Sequence, residues 1–150
     1  MPHSPRWYRD RLWLLNSGDG QFGRVDLRSG AFEPITFCPG YARGLAFYDN
    51  FAVIGTSRPR EATFRGLPLD ANLAERKAVA RTGLQVIDLA SGDAVHWLRI
   101  EGSVEELYDV VVLPNVARPK AFGFKTEEIR HNVWIDQDGQ RKHWKGASKN

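Results

Sequence analysis

The chain carries a partial copy of itself. Residues 23–30 read GRVDLRSG and residues 83–92 read GLQVIDLASG. Val25-Asp26-Leu27 is followed by Ser29-Gly30, and Ile87-Asp88-Leu89 by Ser91-Gly92, 62 residues further on. The preceding segments also match, at another spacing. RLWLLNSG at 11–18 is answered by NFAVIGTS at 50–57, 39 residues later, and in that frame Tyr8 meets Phe47 and Asp10 meets Asp49. A segment that recurs in this way is one supersecondary unit used more than once, and its neighbours complete its core.

Each unit divides into four apolar runs of strand length. The first holds PRWY, RLWLL, FGRVDL and FEPITF; the second holds RGLAF, FAVIG, GLQVIDL and AVHWLRI; a third set begins with LYDVVVL and continues with KAFGF. These runs are rich in aromatic and β-branched residues and are bounded by Gly, Pro, Asn or Asp, the pattern of short strands. Eight Phe, five Trp and four Tyr favour β structure, and fourteen Gly and eight Pro supply turns. Four short strands per unit of about 40 residues predict a propeller blade. The expected fold is all-β: two to three four-stranded propeller-like blades, a partial β-propeller, over residues 1–130.

The second unit is longer because residues 58–82 interrupt it. Within and just past that insertion, DANLAERKAVARTG (70–83) predicts one short helix, with Asp70 as N-cap, Gly83 as stop, and Leu73, Ala74, Ala78 and Val79 near one face. Residues 131–150 form a separate part: HNVWIDQDGQRKHW reads as a β-hairpin turning at Asp138-Gly139, followed by a basic tail. Two units and part of a third do not close a ring, since propellers use about four to eight blades. The remainder comes from a longer propeller or from other copies of the chain, or the pieces close as a smaller sandwich. A first strand clipped at Met1 favours the first two.

Composition removes several classes. A chain of 150 residues with 42% hydrophobic and 26% charged content fits one globular domain with a sizeable core. No apolar run approaches the ~20 residues that cross a bilayer. Charges inside MPHSPRWYRDRLWLL argue against a secretory signal. The single cysteine, Cys38, forms no internal disulfide, and a reducing cytoplasm is the expected compartment. Arg141, Lys142, Lys145 and Lys149 follow Asp138 with no further acid and account for much of the +3 net charge. They read as a solvated terminus, so nucleic acid is not an expected partner.

The strings MPHSPRWYRDRLWLLNSG, YARGLAF, TGLQVIDLASGDAVHWLRIEG, ELYDVVVLP and FGFKTEEIR resemble the C-terminal part of a bacterial family of conserved hypothetical proteins. That family is a β-propeller-like domain of unknown function, and the resemblance runs over roughly residues 2–130. It implies the fold and brings no established activity, cofactor or site residue.

Topology then selects a face. In blades numbered from the inner strand outward, the first strand's start and the second strand's end meet at one end, close to the axis. The inner-strand starts offer His3 and Ser4, then Tyr41 and Arg43, then Glu105, Glu106 and Tyr108. The second-strand ends offer Asn16 and Ser17, then Ser57, Arg58, Arg60 and Glu61, then Lys125 and Thr126. The insertion leaves from this face and is placed to cover it. Arg43 precedes an innermost apolar strand, where a charge needs a partner, and Glu105 or Glu106 is the expected one. His3 is placed to act as base or ligand. His96 alternates with Val95 and Trp97 and is expected to face outward, while His131 and His143 have no evident cluster.

Other motifs fail on spacing. Asp136-Gln137-Asp138-Gly139 opens like a calcium loop, but the twelfth position is Ala147, where a closing Glu is needed. There is no zinc-type Cys pair, no phosphate loop with its Lys and no Gly-x-Ser-x-Gly elbow, so no cofactor and no metal are expected. Asp26 and Asp88 recur in both units, which points to a turn role, and Cys38 before Pro-Gly reads as a buried thiol.

The leading expectation is a binding or interaction module whose axial face holds a small polar or anionic ligand or a protein partner. His3, Arg43, Arg58, Glu105, Glu106, Tyr108 and Lys125 are its site residues, with Arg43, Arg58 and Lys125 as anion contacts. The alternatives are a propeller lyase or hydrolase, with Glu106 or His3 as base and Arg43 as anion stabiliser, and a truncated remnant inactive alone. A homo-oligomer that completes the ring is an expected partner.

Overall fold

A computed structural model describes residues 1–59, 66–119, 123, 125, 133–137 and 140–144. The chain divides into two compact units, Met1–Pro114 and Asn115–Asn150.

The first unit contains two four-stranded sheets, each a simple antiparallel meander. Sheet one is β1 (Pro2–Tyr8), β2 (Arg11–Asn16), β3 (Gln21–Val25) and β4 (Phe32–Phe37); sheet two is β5 (Tyr41–Tyr48), β6 (Phe51–Ser57), β7 (Gly83–Asp88) and β8 (Ala94–Arg99). A short helix, α1 (Pro68–Glu75), lies between β6 and β7. The structure is thus mostly β, with the strand content of the first two sequence units as expected.

The repeated Asp-Leu-x-Ser-Gly string is one hydrogen-bonded turn made twice. The Asp26 carboxylate accepts from the backbone N–H of Arg28 and Ser29, and Gly30 N–H donates to the Asp26 carbonyl. The Asp88 carboxylate accepts from the N–H of Ala90 and Ser91, and Gly92 N–H donates to the Asp88 carbonyl. Ser29 and Ser91 then accept from the N–H of Ala31 and Asp93. Gly30 and Gly92 have φ of +72° and +79°, so both turns need glycine there.

The ladders set a frame that differs from the sequence alignment by one residue. Tyr8 pairs with Arg11 as Tyr48 pairs with Phe51, and Leu12 pairs with Val25 as Ala52 pairs with Ile87. Equivalent ladder positions of the first two strands are therefore 40 residues apart, not 39. The reason lies in the core. Trp13, Leu15 and Phe22 of sheet one pack with Leu45, Ala52, Ile54 and Ile87 of sheet two. Leu12 corresponds to buried Ala52 in the ladders, yet its neighbour Trp13 is the buried one. A one-residue slip exchanges the faces of a strand. The two sheets therefore bury opposite faces, and the apolar pattern slides by one residue against the hydrogen-bond frame.

Edge strands β1 and β5 each carry a bulge, between His3 and Arg6 and between Ala42 and Leu45. Ser4 and Gly44 sit in them at φ of +49° and +82°, and Gly44 N–H donates to Ser4 Oγ at 3.0 Å. The bulges therefore lie against each other and tie these edge strands together at the end where the polar residues gather.

Three expectations change. The helix begins at Pro68, with Leu67 as N-cap. Proline at the first position needs no N–H and already has helical φ, so the start moves ahead of Asp70. Asp70 instead lies in the first turn and accepts from Gly66 N–H. The helix ends at Glu75, before Lys77 turns to φ +49°, so Gly83 is not its stop but the first residue of β7. Leu69, fully buried, anchors it, with Leu69 N–H donating to the Gly18 carbonyl. Second, LYDVVVL is not a ladder strand: residues 104–113 have no regular secondary structure. It forms no ladder with a described strand, and isolated contacts hold it against β5 and β6. Glu105 O accepts from Arg58 N–H and the Thr82 hydroxyl, and Leu107 N–H donates to Ser57 Oγ at 2.8 Å. Third, every residue of β8 is exposed: His96 faces outward as expected, but so do its neighbours, with Trp97 73% exposed.

In the second unit, β9 (Val133–Gln137) and β10 (Gln140–Trp144) pair antiparallel with Gln137 opposite Gln140. The turn at Asp138-Gly139, most of the 120–124 run, His131, Arg60, Glu61, Thr126, Lys145 and Lys149 lie outside the described residues.

Candidate functional site

Antiparallel pairing brings the start of each sheet's first strand to the end of its neighbour. Pro2 lies opposite Asn16, and Tyr41 opposite Ser57. Polar residues from both sheets therefore gather at one end of the first unit. A cavity of about 40 Å³ opens there, lined by His3 from β1, Tyr41 and Arg43 from β5, Ser57 and Arg58 at the exit of β6, and Glu106 from the segment after β8. That volume holds a few waters or one small organic ion.

Arg43 is the centre of the charge arrangement. Its Nη1 lies 3.3 Å from Glu106 Oε1, and its guanidinium sits over the Tyr108 ring, 5.0 Å from the centroid. Both members of the ion pair are largely shielded, with side-chain exposures of 32% and 21%. The pair therefore joins edge strand β5 to the segment after β8, which supplies the partner that a charge at this position requires. It engages one of the guanidinium's nitrogens with a carboxylate, which lowers the net positive charge that Arg43 presents. Arg58 is more available: its Nη2 reaches only the Gly102 carbonyl at 3.5 Å, and no ion pair holds it among the described residues.

The walls are fixed by buried hydroxyls. Ser57, 2% exposed, accepts from Leu107 N–H and donates to the Leu107 carbonyl, so it clamps the segment that carries Glu106 and Tyr108. The His3 imidazole is pulled below its ordinary pKa by burial first, then by the Arg43 charge and the N-terminal ammonium. It is held neutral at physiological pH, with a nitrogen able to accept a proton. The Tyr41 hydroxyl is pushed up by burial and by the Asp70 carboxylate, so it stays a neutral donor.

The structure thus brings His3, Arg43, Arg58 and Glu106 together, with Tyr108 stacked on Arg43. Glu105 does not join them: its side chain is exposed, and its carbonyl serves as a structural acceptor. Lys125 belongs to the second unit, where it is exposed. Among the described residues no group of His, Cys, Asp and Glu is arranged to hold a metal ion, and no helix is long and apolar enough to cross a membrane.

Sequence reasoning missed Arg81 and Arg99. Together with Arg58, Glu101 and Gly102 they line a second, larger depression of about 270 Å³. The start of β7 and the end of β8 lie at the same end as the exit of β6, since Gly83 pairs with both Thr56 and Arg99. Extending the strand-end argument to the outer two strands would have found them.

The chain belongs to the family described as Domain of unknown function (DUF4915), which matches residues 1–122. No curated protein matches the chain. No solved structure matches it.

Proposed function

We propose that the first unit is two successive blades of a β-propeller-type scaffold whose axial end binds a small polar or anionic ligand. The observation that carries this reading is the convergence of His3, Arg43, Arg58 and Glu106, from four separated stretches of chain, on one cavity. The opposite-face burial of the two sheets supports the scaffold. In a ring of blades each sheet packs one face on the sheet before and the other on the sheet after, which a pair of mirror-like sandwich sheets would not do. The small cavity selects ligands of a few heavy atoms, such as a one- or two-carbon carboxylate, with Arg58 as the cation and the Tyr41 hydroxyl and neutral His3 as hydrogen-bonding partners.

Thermal unfolding with formate, acetate and glycolate at matched ionic strength tests this. A saturable rise in Tm that Arg58→Ala and His3→Ala both reduce is expected. No rise beyond that of chloride at the same ionic strength contradicts the reading.

A second reading is catalysis of the lyase or hydrolase sort, with His3 as general base. The placement of His3 and Arg43 in one cavity favours it, since a base and a cation able to stabilise a developing anion then face the same space. A panel of small esters and lactones checks it: turnover lost in His3→Asn supports the base role, and turnover equal in the variant contradicts it. Further sheets close the ring in this account, supplied by other copies of the chain or by the rest of a longer propeller, and oligomeric state tests the first. Light scattering should then give a discrete oligomer; a monomer at every concentration contradicts ring closure by copies.

A further inference from the structure

Beside the axial cavity, three arginines from three strand ends face one depression. Arg58 follows β6, Arg81 precedes β7, and Arg99 ends β8. The depression, at about 270 Å³, is several times larger than the axial cavity. Among the described residues Glu101 is the one carboxylate in its lining, and it pairs with Arg99 at 2.9 Å. Three guanidiniums against one carboxylate leave an excess of positive charge in a concave surface, where fields add.

The arginines are not loose surface groups by accident of sequence. Their backbones are tied to one buried hub, Thr82, which is 1% exposed. The Thr82 hydroxyl donates to the Glu105 carbonyl at 2.7 Å, and that carbonyl also accepts from Arg58 N–H at 3.0 Å. The Thr82 carbonyl accepts from Ile100 N–H, next to Arg99, at 2.9 Å. Arg81 N–H donates to the Pro39 carbonyl at 3.0 Å. Three side chains of like charge are therefore held at one place by a network that does not involve their guanidiniums. Repulsion among them costs stability unless an anion sits between them.

We infer that this depression is a binding site for the phosphate group of a small phosphomonoester, held by Arg58, Arg81 and Arg99. Guanidinium forks match phosphate oxygens in pairs, and a dianion neutralises the excess charge that Glu101 leaves. The volume admits the phosphate and a few further atoms, so a small ester fits better than a polymer. Glu101 competes with the ligand for Arg99. The site shares Arg58 with the axial cavity but does not rest on the axial reading, because Arg81 and Arg99 do not line the axial cavity.

The test is calorimetric titration of the full chain with inorganic phosphate and with glycerol phosphate, against succinate as a dicarboxylate control, at constant ionic strength. Both phosphates should bind, and succinate should bind at least tenfold more weakly. Arg81→Ala should weaken phosphate at least tenfold, Arg81→Lys less, and Glu101→Gln should tighten it several-fold by freeing Arg99. Arg28→Gln, remote and exposed, should leave it unchanged. Circular dichroism identifies a variant that fails to fold, and Glu101→Gln then decides on its own. Absence of phosphate binding, equal binding of succinate, or affinities unchanged in Arg81→Ala and Glu101→Gln would overturn the inference. Loss of the axial ligand in His3→Ala with phosphate binding intact would separate the two sites.

Discussion

The rings of Tyr8 and Phe47 stack 4.4 Å apart and 6° from parallel, although in the strand ladders Tyr8 corresponds to Tyr48. Tyr48 itself is 51% exposed, and so is Trp7, the ladder counterpart of Phe47, at 59%. The stacked pair joins one face of sheet one to the opposite face of sheet two. The contact that holds the first unit together is thus made between non-equivalent positions of equivalent strands.

This packing predicts where stability resides. Trp13, 4% exposed and in ring contact with both Phe22 and Phe47, should cost about 3–5 kcal/mol when replaced by alanine. A double-mutant cycle on Tyr8→Leu and Phe47→Leu should give a coupling of about 0.5–1.5 kcal/mol by urea unfolding. A cycle on Tyr48 and Trp7 should give none within one chain.

The Arg43–Glu106 pair should behave as a shielded ion pair between edge strand β5 and the segment after β8. Glu106→Gln should destabilise by about 1–2 kcal/mol, because it leaves a partly buried guanidinium without its carboxylate. Removal of both charges in Arg43→Met/Glu106→Gln should recover part of that loss. Chemical denaturation of the four proteins decides it; additive losses would argue against a direct pair.

His3 should titrate below its ordinary value of 6.5. A histidine whose folded pKa is depressed is favoured neutral in the fold. Its contribution to stability is full above the unfolded value and declines as pH falls toward the folded one. Proton NMR of the imidazole should show the lowered midpoint, and Arg43→Gln should move it back up by removing one of the charges responsible. A midpoint unmoved by that substitution would leave burial and the N-terminal ammonium as the causes.

Cys38 is completely buried, and burial pushes its thiol up to about 12. The native chain should react with an aromatic disulfide reagent only at the rate of unfolding, and denaturant should expose one thiol at once. Fast native reaction would contradict the placement of the 38–40 corner in the core.

Much of this architecture was legible in the residues, and the failures have physical causes. The eight strands of the first unit show because each is a short β-rich run closed by its own turn residues, and the Asp26 and Asp88 turns are specified within six residues. Arg43 could be assigned a carboxylate partner, Glu105 or Glu106, before any geometry was known, because a charge beside an apolar strand has few places to go, and the structure selects Glu106. The helix was misplaced because Asp70 has the chemistry of a cap while Pro68, two residues earlier, fixes the start. LYDVVVL reads as a strand on composition, but a strand exists only where a neighbour pairs with it. Arg81 and Arg99 were missed because they reach the exit of β6 only through β7, which pairs with β6 across a long insertion, and the strand-end argument had stopped at the first two strands of each unit.

The most direct measurement is a backbone and side-chain NMR titration of the chain with formate, acetate and glycolate. The account predicts shifts that saturate together and cluster at His3, Tyr41, Arg43, Ser57 and Arg58, with the His3 imidazole among the largest. Shifts confined to other parts of the surface, or none at all, would contradict a ligand site at the axial end.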